Sequence, residues 1–476
     1  MDPLAAPDES FAALERVTAE ARDYLATLAD APVRAAGSDE AAESFGGSLP
    51  EAGLGTLATI EELVEAGADA HVRSAGPRFF HWVIGGATPA ALAADWVATL
   101  FDQNAGGWDA SPLAVRLEQV AVQWLLELFG LPARWSGVLT TGATTANFTG
   151  LAAARQWWGE QHGVDVAAAG LAGLPPMPVL SSRFIHVSAL KALAMLGVGR
   201  DHVTDCSDAD GKLEPYALEA ALRALDGRPA VVVANAGEVN AGHFDPIRRV
   251  GEVAQAHRTW LHVDGAFGLF ARVSPRTAHL ADGVELADSV ISDGHKWLNV
   301  PYDCGFAFVR DPKYLLATFS AGAAYLRPDT EDERPVFGFM GPELSRRARS
   351  LAVWATLRAY GRDGYCAIVE RCLDNAAHVA RLVEEAEDLE LLAPAPLNIV
   401  FFRYRPPGVP PEELDELNQR IGQEVLKDGR VYVGTTTWRG VVGFRPAFVN
   451  WRTTTADAEL VLETVRDLGA RLLARA

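Results

Sequence analysis

Five short apolar runs punctuate the middle of this chain, at residues 137–141, 230–234, 260–263, 289–292 and 305–309. Each is four or five residues long and dominated by Val, Ile, Leu, Phe and small residues. Such runs are too short for buried helices and read as strands covered on both faces. Longer stretches with helical periodicity, such as 89–101 and 112–129, alternate with them. Parallel strands need long crossovers between them, usually helices. The alternation therefore commits the chain to a layered α/β fold with a parallel or mostly parallel sheet.

The flanks read differently. Residues 8–30 place Phe11, Leu14, Val17, Ala21 and Leu25 on one helical face. A Gly/Ser/Ala-rich stretch follows at 35–55, and 54–70 reads as helix again. Beyond residue 345, "RRARSLAVWATLRAYG" predicts a long helix, and "APLNIVFFRY" (395–404) and "GVVGFRPAFVNW" (440–451) predict strands of a smaller α+β region. The expected division is a helical N-terminal segment at 1–85, a large domain at 86–347 and a small C-terminal domain at 348–476; 476 residues suffice for two or three domains.

A net charge of −20 and a pI near 5.0 repel nucleic acid and anionic membrane, so neither is an expected partner. Cys206, Cys304, Cys366 and Cys372 show no CxxC spacing, which argues against a disulfide framework or structural zinc and fits a reducing cytoplasm. The first twenty residues do not read as a signal peptide, and weakly charged stretches such as 83–94 are too short to span a bilayer.

Four motifs carry chemistry. In "WLHVDGAFG" (260–268) an apolar strand ends in Asp264, where the carboxyl ends of parallel strands line a ligand crevice. The bland alternative is a helix cap. "TTGATTANFTGLAAAR" (140–155) reads as strand, glycine turn and helix start, a pattern that suits phosphate, although Thr caps many helices for structural reasons. His186, in "RFIHVSALKALAMLG" (183–197), follows an apolar pair and precedes a helix; such a histidine is ordinarily structural. "SDGHKWLNVPYDCGF" (292–306) sets His295 and Lys296 among bulky apolar neighbours. A lysine there can lose its proton and form a Schiff base, or it can simply be ion-paired at a loop. Taken together, a phosphate loop, a histidine for stacking, a strand-end carboxylate and a reactive lysine are the parts that pyridoxal phosphate needs.

These residues resemble the group II pyridoxal-phosphate-dependent amino acid decarboxylases, which include aromatic-L-amino-acid decarboxylase and glutamate decarboxylase. "HVDGAFG", "DGHKWLNVPYDCG", "GATTANFTGLAAAR", "PRFFHW", "WDASP" and "SRRARSLAVWATLRAYG" match that family's segments in order, over residues 76 to 455. The resemblance implies a fold-type I, aspartate-aminotransferase-like architecture: a large domain with a mostly parallel seven-stranded sheet, a smaller C-terminal α+β domain and a helical N-terminal segment. It implies that Lys296 forms the internal aldimine, Asp264 pairs with the pyridine nitrogen, Ala266 lies near the ring and His186 stacks on it. Ala143 and Thr144, with Thr145 adjacent, hold the phosphate; His295 and Asp293 are further cofactor contacts. The resemblance also implies that Arg445 recognises a substrate carboxylate, that Trp82 and Val83 line the substrate pocket, and that Asn104 is contributed across a homodimer interface. No metal is expected. The implied reaction is decarboxylation of an L-amino acid through an external aldimine and a quinonoid, in the cytoplasm.

Two departures stand out. The family's mobile loop carries a tyrosine that protonates the product, but residues 326–345 contain none, and Phe337 falls near its place. Relatives with phenylalanine there release an aldehyde instead of an amine. In "AGEVNAGHFDP", Val239 replaces a cofactor-side threonine, with Asn240 the candidate substitute. Phe79, Phe80, Trp82 and Val83 favour an aromatic substrate, although Phe79 and Phe80 also suit a core. Rival readings are an aminotransferase or carbon–carbon lyase on the same fold, a catalytically silent binding protein, and a metal hydrolase using His257, His262 and Asp264.

Overall fold

The structure is a computed structural model that describes residues 8–320 and 334–475. The chain groups into two compact units. One comprises Gly85–Asp374 and Ala395–Ile399; the other comprises Met1–Ile84, Asn375–Pro394 and Val400–Ala476. This differs from the three segments expected from sequence. The N-terminal segment belongs with the C-terminal region, and the boundary near 348 moves to residue 374, inside the helix Ser350–Glu384.

The larger unit is built on a seven-stranded sheet. Its strands are β1 (Ser136–Thr140), β2 (Val179–Ser181), β3 (Val203–Asp205), β4 (Val231–Asn235), β5 (Trp260–Asp264), β6 (Ser289–Asp293) and β7 (Gly305–Val309), in the order β1-β7-β6-β5-β4-β2-β3. The run from β6 through β5, β4 and β2 to β3 is parallel, and β7 is antiparallel to both its neighbours, β1 and β6. The sheet is thus mostly parallel, as the alternation of elements predicts. Every residue of β4, β5, β6 and β7 is buried, which is why these strands read as continuous apolar runs. Strands β2 and β3 are three residues each, too short to leave a periodic signal.

The helix Ala143–Gln161 packs along β1, β5, β6 and β7. Its buried residues include many small ones, among them Ala146, Gly150, Ala153 and Ala154, which let it lie close to the sheet. The antiparallel placement of β7 leaves the carboxyl ends of β1, β5 and β6 on one edge. Thr140 and Asp293 both pair with Gly305, and Asp264 pairs with Ile291. Ligands bind at this edge of open α/β sheets.

In the smaller unit, β8 (Leu389–Leu391), β9 (Phe402–Tyr404), β10 (Thr435–Trp438) and β11 (Val441–Phe444) form an antiparallel sheet in the order β10-β11-β9-β8. The helices Leu414–Asp428 and Thr455–Leu473 pack on it and on each other. The strand expected over 395–404 is confined to Phe402–Tyr404, because Pro394 and Pro396 remove ladder donors just upstream. The chain around Phe80 is stitched in here: Phe80 N–H donates to Tyr432 O at 2.8 Å, Ala447 N–H donates to Phe80 O at 3.0 Å, and Arg78 pairs with Asp457 at 2.9 Å. These bonds explain why the N-terminal segment is not a separate body.

Candidate active site

The glycine turn in "TTGATT" places Gly142 at φ 145° and ψ 178°, backbone that only glycine adopts comfortably. A Cβ on Gly142 would come within 3.1 Å of His295 Cε1, and one on Gly305 within 2.5 Å of the Gly142 carbonyl carbon. The turn therefore forms a cradle that side chains would fill. The helix Ala143–Gln161 starts here, and the first-turn N–H groups of Thr144 and Thr145 have no intrahelical acceptor. The Thr145 hydroxyl is 2.7 Å from that of Thr141.

Ala143 N–H donates instead to Asp293 Oδ2 at 3.0 Å. The other oxygen, Asp293 Oδ1, lies 2.9 Å from His295 Nδ1, close enough for an ion pair but not aligned as a hydrogen bond. Both atoms are otherwise buried without a hydrogen-bond partner. A helix N-terminus, a glycine cradle and an unsatisfied imidazole nitrogen fit a phosphate. The carboxylate of Asp293 is the one element that a dianion would repel.

Lys296 follows directly. Its Nζ lies 5.8 Å from the centroid of the buried Phe267 ring and makes no hydrogen bond or ion pair to a described residue. Its backbone is held where Gly85 N–H donates to His295 O at 3.1 Å. Tyr302, which the sequence does not single out, stacks on His295 with ring centroids 4.0 Å apart and keeps 56% of its surface exposed. An aromatic six residues after the lysine was the only signal for it.

Asp264 ends β5, 5% exposed. Its Oδ1 accepts Ala266 N–H at 3.1 Å and its Oδ2 accepts the Asn147 amide at 2.8 Å. Asp264 thus holds the turn after β5 through Oδ1 and the helix Ala143–Gln161 through Oδ2. Ala266 O in turn accepts Asp293 N–H at 3.0 Å, tying the two strand ends together. His186 is the N-cap of the helix Val187–Met195: its Nδ1 accepts Ser188 N–H at 3.2 Å and lies 2.7 Å from the Ser188 hydroxyl. Ser188 also accepts from Asn147 Nδ2 at 3.0 Å. One residue, Asn147, thus joins Asp264 to His186. Its only sequence signal is a polar side chain one turn into a helix rich in Ala and Gly. Ala143, Thr144, Thr145, His186, Asp264, Ala266, Asp293, His295 and Lys296 therefore gather on one sheet edge.

Asn104 Oδ1 accepts Gly106 N–H at 3.1 Å and Arg346 N–H at 3.0 Å, so its carbonyl is committed to a turn. Phe337 does not sit on a loop tip. It is 3% exposed, in the hydrophobic core of the larger unit, with the Arg346 guanidinium 5.7 Å from its ring centroid. Of the loop stretch that lacks the tyrosine, residues 326–333 lie outside the described residues. Asn240 gives its amide to the Glu238 carboxylate, within the same turn. His262, proposed for a metal, is fully buried with both ring nitrogens hydrogen-bonded, and among the described residues no group of three His, Cys, Asp or Glu is arranged for a metal ion.

In the smaller unit, Trp82 and Val83 adopt φ 55° and 62°, a left-handed pair that is a genuine outlier for a β-branched residue. Trp82 is 59% exposed, while Val83 is wholly buried and counts with the core residues. Phe79 and Phe80 are likewise core. Trp82 leans on His81, at 4.5 Å between centroids, and on Phe79, which stacks on Tyr432. His81 Nδ1 accepts Gly434 N–H at 3.2 Å. Burial, with the nearby charge of the buried Arg445, lowers the His81 pKa to about 4.

Comparisons with known proteins give the family. A family model described as "Pyridoxal-dependent decarboxylase conserved domain" matches residues 56–405. The chain is 30% identical to an aromatic-L-amino-acid decarboxylase of Bacillus atrophaeus over 399 residues, 82% of this chain and 81% of that protein. It is 32% identical to an L-2,4-diaminobutyrate decarboxylase of Rhizobium meliloti (strain 1021) over 435 residues, 89% and 84% of the two chains. The crystal structure of Oryza sativa TDC with PLP and tryptamine superposes with a TM-score of 0.90 at 25% identity, covering 99% of both chains. The chain belongs to the pyridoxal-dependent decarboxylase family.

Proposed function

We propose that this pyridoxal-phosphate-dependent amino acid decarboxylase acts on aromatic L-amino acids and releases the amine. The observation that carries the substrate reading is Trp82. Its exposed indole is held on a left-handed backbone and backed by Phe79, Tyr432 and His81, with Arg445 nearby. Aromatic faces suit an aromatic side chain. The neighbouring guanidinium would repel the ammonium of a diaminobutyrate side chain and suits a carboxylate instead.

Bound pyridoxal phosphate supplies the electron sink that stabilises charge on Cα once CO2 has left. The protein's own residues do the rest. Lys296 provides the anchoring amine, and the Asp264 carboxylate holds a proton at the pyridine nitrogen. Thr144 and Thr145 offer first-turn N–H groups to the phosphate, with Ala143, Asp293 and His295 beside it. His186 would cover the ring face and Ala266 would lie along it. Arg445 receives the substrate carboxylate, and Asn104 lies toward a second subunit. One proton is taken up and one CO2 leaves for each amine formed. The burial of Phe337 beneath Arg346 supports the amine outcome over the oxidative one, in which O2 is consumed and aldehyde, ammonia and peroxide appear.

We also read the enzyme as a cytoplasmic homodimer. Exposed Phe11, Leu14, Leu100 and Phe101 support an interface, and no described helix is long and apolar enough to cross a membrane. Light scattering at micromolar concentration should give twice the chain mass; a monomer would count against the shared site. The decisive assay is incubation with the twenty amino acids and L-2,4-diaminobutyrate, detecting CO2, amine, aldehyde and peroxide separately. Turnover of Trp, Tyr or Phe to amine is expected. Preference for diaminobutyrate, or aldehyde with stoichiometric peroxide, would overturn the reading.

A further inference from the structure

The carboxylate of Asp264 and the imidazole of His186 are both reached by one chain of hydrogen bonds that starts deep under the sheet. The Trp260 indole N–H donates to Ser289 Oγ at 2.9 Å. Ser289 Oγ is 2.8 Å from His262 Nδ1, and His262 Nε2 is 2.8 Å from Asn147 Oδ1. Asn147 Nδ2 then reaches Asp264 Oδ2 at 2.8 Å and Ser188 Oγ at 3.0 Å, and Ser188 Oγ is 2.7 Å from His186 Nδ1.

Chemistry fixes the direction of every step. An ionised carboxylate only accepts, so Asn147 must turn its NH2 toward Asp264 and its carbonyl toward His262. A carbonyl only accepts, so His262 carries its proton on Nε2 and accepts at Nδ1. An indole only donates, so Ser289 accepts from Trp260 and gives its own hydrogen to His262. At the far end, Ser188 N–H donates to His186 Nδ1 at 3.2 Å, so a neutral His186 keeps its proton on Nε2. The seat of His262 is also built for it: a Cβ on Gly150 would come within 2.8 Å of His262 Cε1.

We propose that Asn147 and His262 are positioning residues of this site: the one-way chain from Trp260 orients the Asp264 carboxylate and fixes the protonated nitrogen of His186 before any ligand arrives. Burial agrees with this, since it lowers the His262 pKa to about 4 and keeps the ring neutral. A charged His262 would add a second donor at Nδ1 and break the direction of the chain. The inference rests on the reading that Asp264 and His186 face the cofactor.

The test compares His262→Leu, which removes the donor to Asn147, with His262→Gln, whose amide can replace it. In His262→Leu the dissociation constant for pyridoxal phosphate should rise by a few-fold to about tenfold, the range of a neutral hydrogen bond, and the absorption maximum of the bound cofactor should shift. His262→Gln should restore both. In the apo protein, nitrogen-15 NMR at pH 7 should find His262 neutral and protonated on Nε2. The smaller variant Ser289→Ala, which leaves Nδ1 without its donor, should move the cofactor band in the same direction as His262→Leu, and stands in if the latter does not fold. Equal effects of Leu and Gln, unchanged cofactor binding in His262→Leu or Ser289→Ala, or an Nδ1-protonated or charged His262 would each overturn the proposal. Asp264→Asn separates the two readings: it alters cofactor binding if Asp264 faces the ring, whether or not the chain matters.

Discussion

Replacing Arg346 by Met should be among the most damaging single changes outside the cofactor contacts. Arg346 and Glu118 are 2% and 1% exposed. The guanidinium donates to Glu118 Oε1 at 2.8 Å and Oε2 at 3.0 Å, to Ala105 O at 3.2 Å and to Leu139 O at 2.6 Å. Glu118 Oε1 also accepts Leu139 N–H at 2.9 Å. Both backbone groups of Leu139 therefore end on this pair, one residue before Thr140 and the glycine cradle. Arg346→Met strands a buried carboxylate with Leu139 N–H as its only remaining partner among these bonds, which costs about 3–5 kcal/mol. Removing the charge as well, in Arg346→Met/Glu118→Gln, should recover about 1–3 kcal/mol of that, because a neutral amide is cheaper to bury than a carboxylate. Urea unfolding at fixed protein and cofactor concentration measures both. A loss under about 1 kcal/mol for Arg346→Met, or a double variant no better than that single one, would refute the idea that an uncompensated buried charge sets the cost.

Further outcomes follow from the site. Lys296→Ala should abolish turnover and the absorbance of the bound cofactor together; retained turnover would remove the lysine from the chemistry. Gly142→Ala forces a Cβ into a glycine-only region, which costs on the order of 1–3 kcal/mol, and should weaken cofactor binding measured by fluorescence titration. His262 binds a proton readily when unfolded but not when folded, so between pH 6.5 and about 4 the unfolded chain carries more protons and stability falls as pH falls. That shift corresponds to about 3 kcal/mol, complete above pH 6.5, and the urea midpoint of His262→Gln should be flatter across this window. Phe337→Tyr adds a hydroxyl to a buried ring; because the ring lies under Arg346 and not on a loop, the ratio of aldehyde to amine should not change, as separate product assays will show.

Much of the site was legible because it lies in local patterns. "HVDGAFG" announces a strand with a carboxylate at its end, and "TTGATT" announces a turn and a helix start, because strand length, glycine and capping preferences act over a few residues. Asn147 and Ser188 were not legible. Nothing local distinguishes them from ordinary helix polar residues, and their meaning arises only when the helix Ala143–Gln161 lies against β5 and β6. Val83 and Phe337 went the other way. Their neighbours in sequence suggested a pocket and a loop tip, and burial placed both in cores. The sequence "RRARS" predicts helix from Arg346; the helix begins at Ser350, and Arg346 and Arg349 instead hold buried or half-buried carboxylates.

The sequence by itself determined the α/β class, the sites of strand ends and turns, and the residue types a phosphate, a ring and an aldehyde require. These follow from periodicity and backbone preference, which are local. Only the tertiary structure decided that β7 runs antiparallel, so that Thr140, Asp264 and Asp293 share one edge. It alone turned Asn147 toward Asp264, joined residues 78–80 to the C-terminal unit and sealed Arg346 onto Glu118. Those choices depend on which groups are removed from water together, and the desolvation of a polar group is decided by neighbours far away in the chain.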